Sequence, residues 1–491
     1  MWRKKYFTRG TLSKRCYKFT TFVHLLVLAS CSRFMNKVIK LKKGLDINLE
    51  GNPEKQVKKV ITSPCCTIFP EDYPGFSPKL EIKVGDKVLA GDPILYDKNR
   101  PDLKISSPVS GKIDAVNRGE KRKLLSIIVR ADEKIVYKDF GRKENPQSMS
   151  SETIKLTLAE TGIMALIRQR PYDIVADPKD TPRDIFVPGF YSAPLAPDLD
   201  FMLEGQDADF QTGLNILTLL TEGSVYLGVR NTTQAPCLLQ AENVEIVTFD
   251  GPHPVGNASV QINQIKPVNK GEIVWIVDPM VVVFIGRLFN RGVVDFTRII
   301  ALTGSEVNSE CRAYYQILPG ISILHLVSGS VSEYINLRYI SGNVLTGTQI
   351  AFDGSLHAND NQITVIPEGN EIHEFVGWLM PRFSDFSVSK TYPALIIGRL
   401  MKKKYVLDSR IKGGQRAMIM SNEWDRVFPM DILPEFLIRA IIAFDVDKME
   451  NLGIYEVAPE DFALCEFVDT SKMELQNIVR KGLDLLYKEM I

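Results

Sequence analysis

The sequence predicts an α+β protein of several domains, and three observations support this expectation. The chain has 491 residues, whereas one domain usually takes roughly 100 to 200 residues. Short strand-like stretches between glycine and proline turns fill the first third, strands alternate with helices in the middle, and the tail reads as helical. These changes of pattern divide the chain into 1–34, 35–145, 150–265, 266–375 and 376–491.

Residues 1–34 form an extension that resembles a targeting segment. A basic stretch precedes an apolar one from Phe19 to Ser30, and Leu28-Ala29-Ser30-Cys31 resembles the cleavage box of a bacterial lipoprotein. A lipid on Cys31 would make the protein a lipid-anchored envelope protein. A strand-like pattern nevertheless opens at Met35 without the polar tether usual in lipoproteins. We therefore expect the extension to be a misassigned start and Met35 to be the initiator.

Residues 35–145 are expected to form a small all-β domain. Apolar residues from Ile82 to Val116 are spaced like those of half-buried strands. Glycine-containing turns separate these stretches at Gly85-Asp86, Gly91-Asp92 and Ser110-Gly111.

Within this domain, the stretch from Glu81 to Ile113 resembles a lipoyl or biotinyl carrier domain, in which an exposed hairpin lysine holds a covalent cofactor. Lys98 would be that lysine. Tyr96 before it and Asn99-Arg100-Pro101-Asp102 after it add bulk, charge and a proline to the tip that a modifying ligase must read. We expect Lys98 to be an unmodified turn lysine, and a carrier function is kept as an alternative.

Residues 150–265 alternate helices with strands, which indicates an α/β domain with a parallel sheet. The domain follows a polar linker at Gly141 to Ser151 and ends near Gly251-Pro252-His253-Pro254. Its predicted elements are a helix at Ser151 to Ile167, a strand at Asp184 to Pro188, a helix at Phe210 to Glu222, and strands at Val225 to Val229 and Val244 to Phe249.

Residues 266–375 give a mixed pattern, and residues 376–491 read as mostly helical. The mixed region is predicted to contain strands at Ile273 to Val277, Arg298 to Thr303, Ile323 to Val327 and Gly342 to Ala351, with a helix at Val281 to Phe289. The predicted helices of the tail are Pro434 to Phe444, Pro459 to Leu464 and Lys472 to Met490.

Composition argues against several classes of protein. The net charge of +1 does not provide the one-signed field that nucleic acids or anionic membranes attract. Apart from Cys65-Cys66 the cysteines are scattered and form no CxxC, which argues against a zinc ribbon or a four-cysteine iron–sulfur site and favours free thiols in a reducing compartment. The most apolar stretch, Ile273 to Leu288, is interrupted by Asp278-Pro279 and is shorter than the roughly 20 residues of a membrane span.

Motifs for cofactor binding or catalysis are also absent from the sequence. Thr161 to Pro171 stands where a glycine-rich phosphate loop would be expected, but it contains one glycine. A bound dinucleotide is therefore not expected, although Arg168 and Arg170 in this stretch are available to pair with an acidic partner. We predict no catalytic residue, no metal ligand and no cofactor-binding residue.

Three single residues deserve a prediction. His253 follows a strand of the α/β domain, where open α/β sheets place ligands, and its alternative role is that of a turn histidine that caps a carbonyl. Cys465 lies in an apolar run and is expected to be a buried, unreactive thiol. Trp378 is expected to anchor packing.

Residues 35–491 resemble the family of A subunits of the sodium-translocating NADH:quinone oxidoreductases. The motifs that carry the resemblance occur in order and at family-like spacing: KLKKGLDI (Lys40 to Ile47), SPVSGKI (Ser107 to Ile113), NRGEKR (Asn117 to Arg122), GPHPVG (Gly251 to Gly256), SGNVLTGT (Ser341 to Thr348) and MDILP (Met430 to Pro434).

The resemblance implies an architecture shared with the flavin-binding NADH subunit of complex I and with the C subunit of the Rnf complex. Its parts are a barrel-sandwich hybrid β domain, a Rossmann-like α/β domain, a β-grasp (SLBB-like) domain and a helical C-terminal region. Those relatives carry a glycine-rich flavin loop and a cysteine cluster, whereas this chain has Ile163 to Arg168 and the lone Cys465 instead. The fold is therefore expected to persist without the redox groups.

The resemblance also implies a function. It predicts a peripheral subunit on the cytoplasmic face of the bacterial inner membrane, docked on the B subunit in the membrane. The complex would use NADH, flavins, iron–sulfur and quinone to couple electron transfer to sodium export, while this subunit supports assembly and is available for quinone binding. The residues named for a quinone contact are His253, Gly251 and Tyr191. A flavoprotein electron-transfer subunit remains an alternative.

Overall fold

A computed structural model describes residues 38–58, 63–142, 146–331, 335–370, 386–388 and 403–490. The chain divides into two compact units, Met1–Val38 and Ile39–Ile491. The predictions about the 1–34 extension, Cys31, Met35, Trp378 and the boundary between 375 and 376 lie outside the described residues. Across the described ranges, no helix combines the length and the apolarity that a bilayer crossing requires.

A small all-β domain follows the first two strands, as the spacing of its turns predicts. Two sheets form it, with the strand orders β3-β9-β8-β5 and β4-β6-β7. β1 and β2 instead pair with sheets formed later in the chain. The strands are β1 (Val38–Lys40), β2 (Val57–Lys58), β3 (Cys65–Ile68), β4 (Pro78–Leu80), β5 (Lys87–Val88), β6 (Pro93–Asp97), β7 (Lys104–Ser106), β8 (Gly111–Arg118) and β9 (Leu124–Ala131).

The α/β region contains a seven-stranded sheet in the order β1-β14-β13-β12-β15-β10-β11. Strands β12, β13, β14 and β15 are parallel to one another. Strands β10 and β11 add an antiparallel edge to this sheet. The elements are α1 (Ser151–Glu160), β10 (Arg168–Arg170), β11 (Ile174–Val175), β12 (Asp184–Pro188), α2 (Leu199–Met202), α3 (Asp207–Thr218), β13 (Val225–Arg230), α4 (Pro236–Leu239), β14 (Glu245–Asp250), α5 (Ala258–Ile265), β15 (Val274–Ile276) and α6 (Pro279–Arg291).

Local chemistry explains where the helices of this region begin and end. The Ser150 side chain accepts a hydrogen bond from the Thr153 amide at the start of α1, and Asp278 does the same for Met280 at the start of α6. Gly292 ends α6 with a φ of 74°, which glycine adopts without steric cost. The sheet continues beyond residue 265, because β15 pairs with β12.

A second mixed sheet follows, in the order β19-β18-β20-β16-β17-β2. Its elements are β16 (Arg298–Thr303), β17 (Tyr314–Ile317), α7 (Leu324–Val327), β18 (Leu337–Ser341), β19 (Thr348–Ile350) and β20 (Gln362–Pro367). The predicted strand at Ile323 to Val327 is wrong, since Leu324–Val327 forms one helical turn. Of the strand predicted at Gly342 to Ala351, only Thr348–Ile350 is a strand.

The C-terminal region is helical, as predicted, and packs around its own core. Its helices are α8 (Pro434–Ile442), α9 (Val446–Asn451), α10 (Ala463–Val468) and α11 (Leu475–Met490). Leu475, Val479, Leu483 and Leu486 of α11 are all fully buried, and their spacing places them on one helix face. That face packs into the hydrophobic cluster that contains Trp424, Phe428 and Phe462. A separate, larger cluster joins the small β domain to the α/β region.

A polar cavity at the edge of the parallel sheet

A cavity of about 470 Å³ lies where the parallel strands β12 and β15 end. Pro188 at the end of β12 and Ile276 at the end of β15 both contribute to its wall. Open α/β sheets place ligands at this edge, because the loops that leave the strands diverge there. The cavity volume is within the range of roughly 300 to 1,000 Å³ that is usual for small-molecule sites.

Residues from several separate parts of the chain form the wall of this cavity. Strand β10 provides Arg168 and Arg170, and β16 provides Arg298. The loop before β20 provides Asp360 and Asn361. The start of α6 and the C-terminal region complete the wall with Met280, Val281, Phe284 and Glu460. The wall therefore combines charged groups with an apolar side.

Tyr191 is the one residue named for a quinone contact that lines the cavity. Its hydroxyl donates a hydrogen bond to Asp278 Oδ2 at 2.8 Å and accepts one from Asn361 Nδ2 at 2.8 Å. Burial and the neighbouring Asp278 raise the pKa of Tyr191 well above its usual value, so the phenol stays protonated at neutral pH. Burial also raises the pKa of Asp278.

His253 and Gly251 lie behind the cavity wall rather than on it. The Nδ1 atom of His253 lies 2.9 Å from Oγ of Ser192, a residue that lines the cavity. His253 is 5% exposed, and burial lowers the pKa of its imidazole to about 4. Gly251 packs against Leu41, whose carbonyl oxygen would lie 2.7 Å from an added Cβ. The structure thus brings the three named residues to one edge of the sheet, and the quinone contact stays a prediction.

Three arginines converge on the cavity from distant parts of the sequence. Arg168 donates from Nη2 to the Asp72 carbonyl at 2.7 Å, and Arg298 donates to the carbonyls of Ala358 and His357 at 2.8 and 3.2 Å. Burial lowers the pKa of both guanidinium groups. The sequence pattern indicates Arg168 and Arg170 as candidate site residues. No sequence pattern predicts that Arg298 lies beside them.

Arg170 differs from the other two arginines because it has an acidic partner. Its Nη1 atom donates to Asp173 Oδ1 at 2.5 Å, and its Nη2 atom donates to Ser259 Oγ at 3.1 Å. Burial opposes the charged form, but Asp173, Asp461 and Glu460 together outweigh it and raise the pKa of Arg170. The sequence-based expectation of an acidic partner is confirmed for Arg170 by this ion pair.

The stretch that stands in place of a glycine-rich loop belongs to the hydrophobic core. Ile163, Met164, Ala165 and Ile167 are at most 1% exposed. Gly162 has a φ of 80°, and an added Cβ there would lie 2.8 Å from the Ser106 backbone nitrogen. Backbone amides in such a packed stretch have no room to approach a phosphate.

Cys465 is a fully buried thiol, as predicted. Burial and nearby carboxylates raise its pKa well above the usual value, which disfavours the thiolate that binds metals. Within the described ranges, no group of three or more metal-ligating side chains occurs.

Lys98 is exposed, but the turn that carries it is fixed at both sides. Its backbone nitrogen donates to the Ser77 carbonyl at 2.8 Å. Arg100 donates to Asp97 Oδ2 at 2.7 Å and to the carbonyl oxygens of Gly75 and Val175 at 3.0 and 3.2 Å. The turn therefore packs against the α/β region instead of projecting as a free hairpin. An unmodified Lys98 stays a prediction.

Three models of one protein family match successive parts of the chain. The NqrA N-terminal barrel-sandwich hybrid domain matches residues 39–132, the NqrA second alpha/beta domain matches residues 149–294, and the NQRA C-terminal domain, of SLBB type, matches residues 299–351. These matches confirm the predicted fold class, an α+β multidomain protein with a barrel-sandwich hybrid, a Rossmann-like α/β domain and an SLBB-like domain.

Relatives of the chain match it over almost its whole length. It is 34% identical over 456 residues to the A subunit of the Na(+)-translocating NADH-quinone reductase of Yersinia pseudotuberculosis, a match that covers 92% of this chain and 100% of that protein. The protein of the same description from Haemophilus influenzae (strain PittEE) is 35% identical over 457 residues, with the same coverage. Among solved structures, an air-oxidized NAD+-reducing [NiFe]-hydrogenase is 11% identical, covers 48% of this chain and 52% of its own, and gives a TM-score of 0.30, too low to support an argument. The domain matches and the near full-length identity show that the chain belongs to the NqrA family, the A subunits of the Na(+)-translocating NADH-quinone reductases.

Proposed function

We propose that this chain is a peripheral subunit on the cytoplasmic face of the bacterial inner membrane, in a complex that transfers electrons from NADH to quinone and exports sodium. In this proposal the chain holds no redox cofactor of its own. It supports the assembly of neighbouring subunits that hold the flavins and the iron–sulfur centre.

One observation carries the proposal of a subunit without redox groups. The stretch from Ile163 to Ile167, where a flavin loop would stand, is part of the hydrophobic core. A flavin phosphate there would have to displace several fully buried side chains, each of which contributes about 1.5 to 3 kcal/mol of burial free energy. Cys465, which stands where the resemblance would place the relatives' cysteine cluster, is likewise buried.

The test is the intact mass of the chain, isolated with its complex from native membranes, together with the absorbance spectrum of the separated subunit. We expect a colourless subunit without added mass on Lys98. A flavin band would support the flavoprotein alternative, and an increment of lipoyl or biotinyl size on Lys98 would support the carrier alternative. A lipidated N-terminus at Cys31 would establish a lipid-anchored protein.

Docking on the B subunit is proposed to use an apolar surface at α8. Leu433, Phe436, Ile442 and Phe444 are 55%, 48%, 47% and 70% exposed. Contiguous exposed apolar patches usually mark interaction surfaces, and we propose that these side chains form such a patch. We name these four residues the α8 surface.

We also propose that this chain binds quinone in the cavity, and Tyr191 is the residue that best supports this. Its phenol lies on the cavity wall near Met280 and Val281, which gives a polar group beside an apolar side. We expect Tyr191→Phe to weaken binding of a short-chain ubiquinone to the isolated chain. Tyr226→Phe is the matched control, because Tyr226 lies on the same sheet but outside the cavity wall. Equal ubiquinone binding by both variants would argue against a quinone contact at Tyr191.

A further inference from the structure

The arginines of the cavity wall have more hydrogen-bond donors than the surrounding residues use. Nη1 of Arg168, Nε of Arg170 and Nε of Arg298 are buried and have no hydrogen-bond partner among the described residues. Arg170 and Arg298 are only 2% and 5% exposed. Buried donors normally have partners, so three exceptions around one cavity need an explanation.

Two of the three arginines also lack a carboxylate within ion-pair distance. Arg170 has Asp173, but neither Arg168 nor Arg298 forms an ion pair with any residue that the structure describes. Both are held instead by neutral carbonyl groups. Carboxylates act on these two guanidinium groups only from beyond ion-pair distance, Asp72 and Asp173 on Arg168 and Asp278 and Asp360 on Arg298. An oxyanion in the cavity would contact them directly.

Three carboxylates that also line the cavity already form ion pairs or accept hydrogen bonds. Asp173 lies between Arg170 and Arg480, at 2.5 and 3.6 Å. Asp278 accepts from Met280 and Tyr191, and Asp360 accepts from Ser341 Oγ at 2.6 Å.

Glu460 is the remaining carboxylate on the wall, and it is 4.0 Å from Arg170 Nη2. Its side chain is 44% exposed, and burial together with the charge of Asp461 raises its pKa. Among the described residues that line the cavity, the buried side-chain atoms without a hydrogen-bond partner are the three arginine donors and Oδ1 of Asn361.

We propose that the cavity binds a small organic oxyanion, with its carboxylate or phosphate group held by Arg168, Arg170 and Arg298. The planar guanidinium fork matches both oxyanions and forms strong, charge-assisted hydrogen bonds with them. The volume of about 470 Å³ leaves room for an organic body beyond the oxyanion. Met280, Val281 and Phe284 provide an apolar side against which that body packs. This inference does not rest on the function proposed above.

The test measures binding of two probes, sodium pyrophosphate and sodium citrate, to the full chain by calorimetry at constant ionic strength. We expect at least one probe to bind, and Arg298→Gln to raise its dissociation constant about tenfold or more, because a charge-assisted contact is removed. Arg287→Gln is the matched control, since Arg287 is also 5% exposed but lies outside the cavity wall. Binding of pyrophosphate alone would assign a phosphate ligand, and binding of citrate alone a carboxylate.

A second pair of variants avoids any change in the buried arginines. Thr346 is exposed on the cavity rim, and Thr348 is exposed on β19 away from it. Thr346→Glu adds a negative charge at the rim and is expected to weaken probe binding, whereas Thr348→Glu is expected to leave it unchanged. The proposal is overturned if neither probe binds, if the variants and their controls lose binding equally, or if only a short-chain ubiquinone binds.

Discussion

Asp97 and Arg100 form a buried ion pair that fixes the turn carrying Lys98. Their side chains are 1% and 11% exposed. Arg100→Ala would leave the Asp97 carboxylate buried without its counter-charge, so we expect a loss of about 3 kcal/mol in the free energy of unfolding. Chemical denaturation of the full chain measures this loss.

The control for that prediction is an ion pair of the same type at the surface. Arg130 and Asp114 are 66% and 42% exposed. Water already screens this pair, so Arg130→Ala should cost less than about 1 kcal/mol. Similar losses at Arg100 and Arg130 would mean that the turn is not held by the buried pair.

The buried pair between His357 and Asp72 gives a pH dependence. The Nδ1 atom of His357 lies 2.5 Å from Asp72 Oδ1. Burial lowers the pKa of His357, but the hydrogen bond and the charge of Asp72 outweigh burial and raise it overall. The stabilisation by His357 should thus be complete below the unfolded pKa of about 6.5 and be lost as pH rises through the folded pKa. The measurement is the difference in unfolding free energy between wild type and His357→Gln from pH 5 to 9.

His253 should show the opposite pH dependence and is the matched control. Burial lowers its pKa from 6.5 to about 4, so the folded protein holds the neutral imidazole. The difference in unfolding free energy between wild type and His253→Gln should therefore fall as pH decreases from 7 to 4, by up to about 3 kcal/mol. The same sign of pH dependence for both histidines would contradict the two assignments.

Single residues of the site were only partly predictable from the sequence. Burial of Cys465 follows from its apolar neighbours, and the pair Arg168 and Arg170 stands out because it replaces a glycine-rich loop. Arg298 lies 130 positions after Arg168 in the sequence. No local pattern records such a separation, because the contact depends on how two sheets pack.

At the scale of elements, α3 and α6 cross in close contact through glycine. An alanine Cβ at Gly286 of α6 would overlap the Asp209 carbonyl oxygen of α3. Alanine within a helix normally adds up to about 1 kcal/mol of stability relative to glycine. Here we expect Gly286→Ala to lower the free energy of unfolding by about 2 to 3 kcal/mol, because the two backbones must separate. Thermal or chemical unfolding measures the sign of the change.

Gly482 in α11 is the control for this prediction. Its added Cβ would lie 2.9 Å from Cγ2 of Ile441, a side-chain atom that can move. Gly482→Ala should therefore cost less than Gly286→Ala. Equal losses for the two variants would show that the close approach of α3 and α6 does not determine the effect at Gly286.

Periodicity predicts α11 and some short strands, but it does not settle every short apolar run. The strand at Asp184 to Pro188 is confirmed at the predicted positions, and α11 begins within a few residues of its predicted start. Ile323 to Val327 is a run of five residues, too short for its apolar pattern to distinguish a buried strand from a helical turn. Leu324–Val327 folds as a helical turn, and the apolar pattern alone does not contain this information.

At the scale of the whole molecule, the order of strands could not be derived from the sequence. β2 lies at the start of the chain but pairs with β17, and β1 lies at the edge of the seven-stranded sheet. These strands are two or three residues long, so their own side chains hardly determine their partners. Their pairing depends on the sheets that form later in the chain.

The α8 surface gives a prediction for the assembled complex. Phe436 and Phe444 are 48% and 70% exposed, so their replacement removes little core packing. We expect the double change Phe436→Gln and Phe444→Gln to leave the unfolding temperature of the isolated chain within a few degrees of wild type, since surface changes usually alter stability by about 0.5 kcal/mol or less. Co-purification with the membrane subunits should fall strongly, because aromatic anchors often dominate interface energy.

Leu156→Gln is the control, as Leu156 is 56% exposed on α1, away from the four residues of the surface. Normal assembly of the double variant would place the docking surface elsewhere, whereas loss of assembly in both variants would indicate a general effect of removing exposed apolar groups.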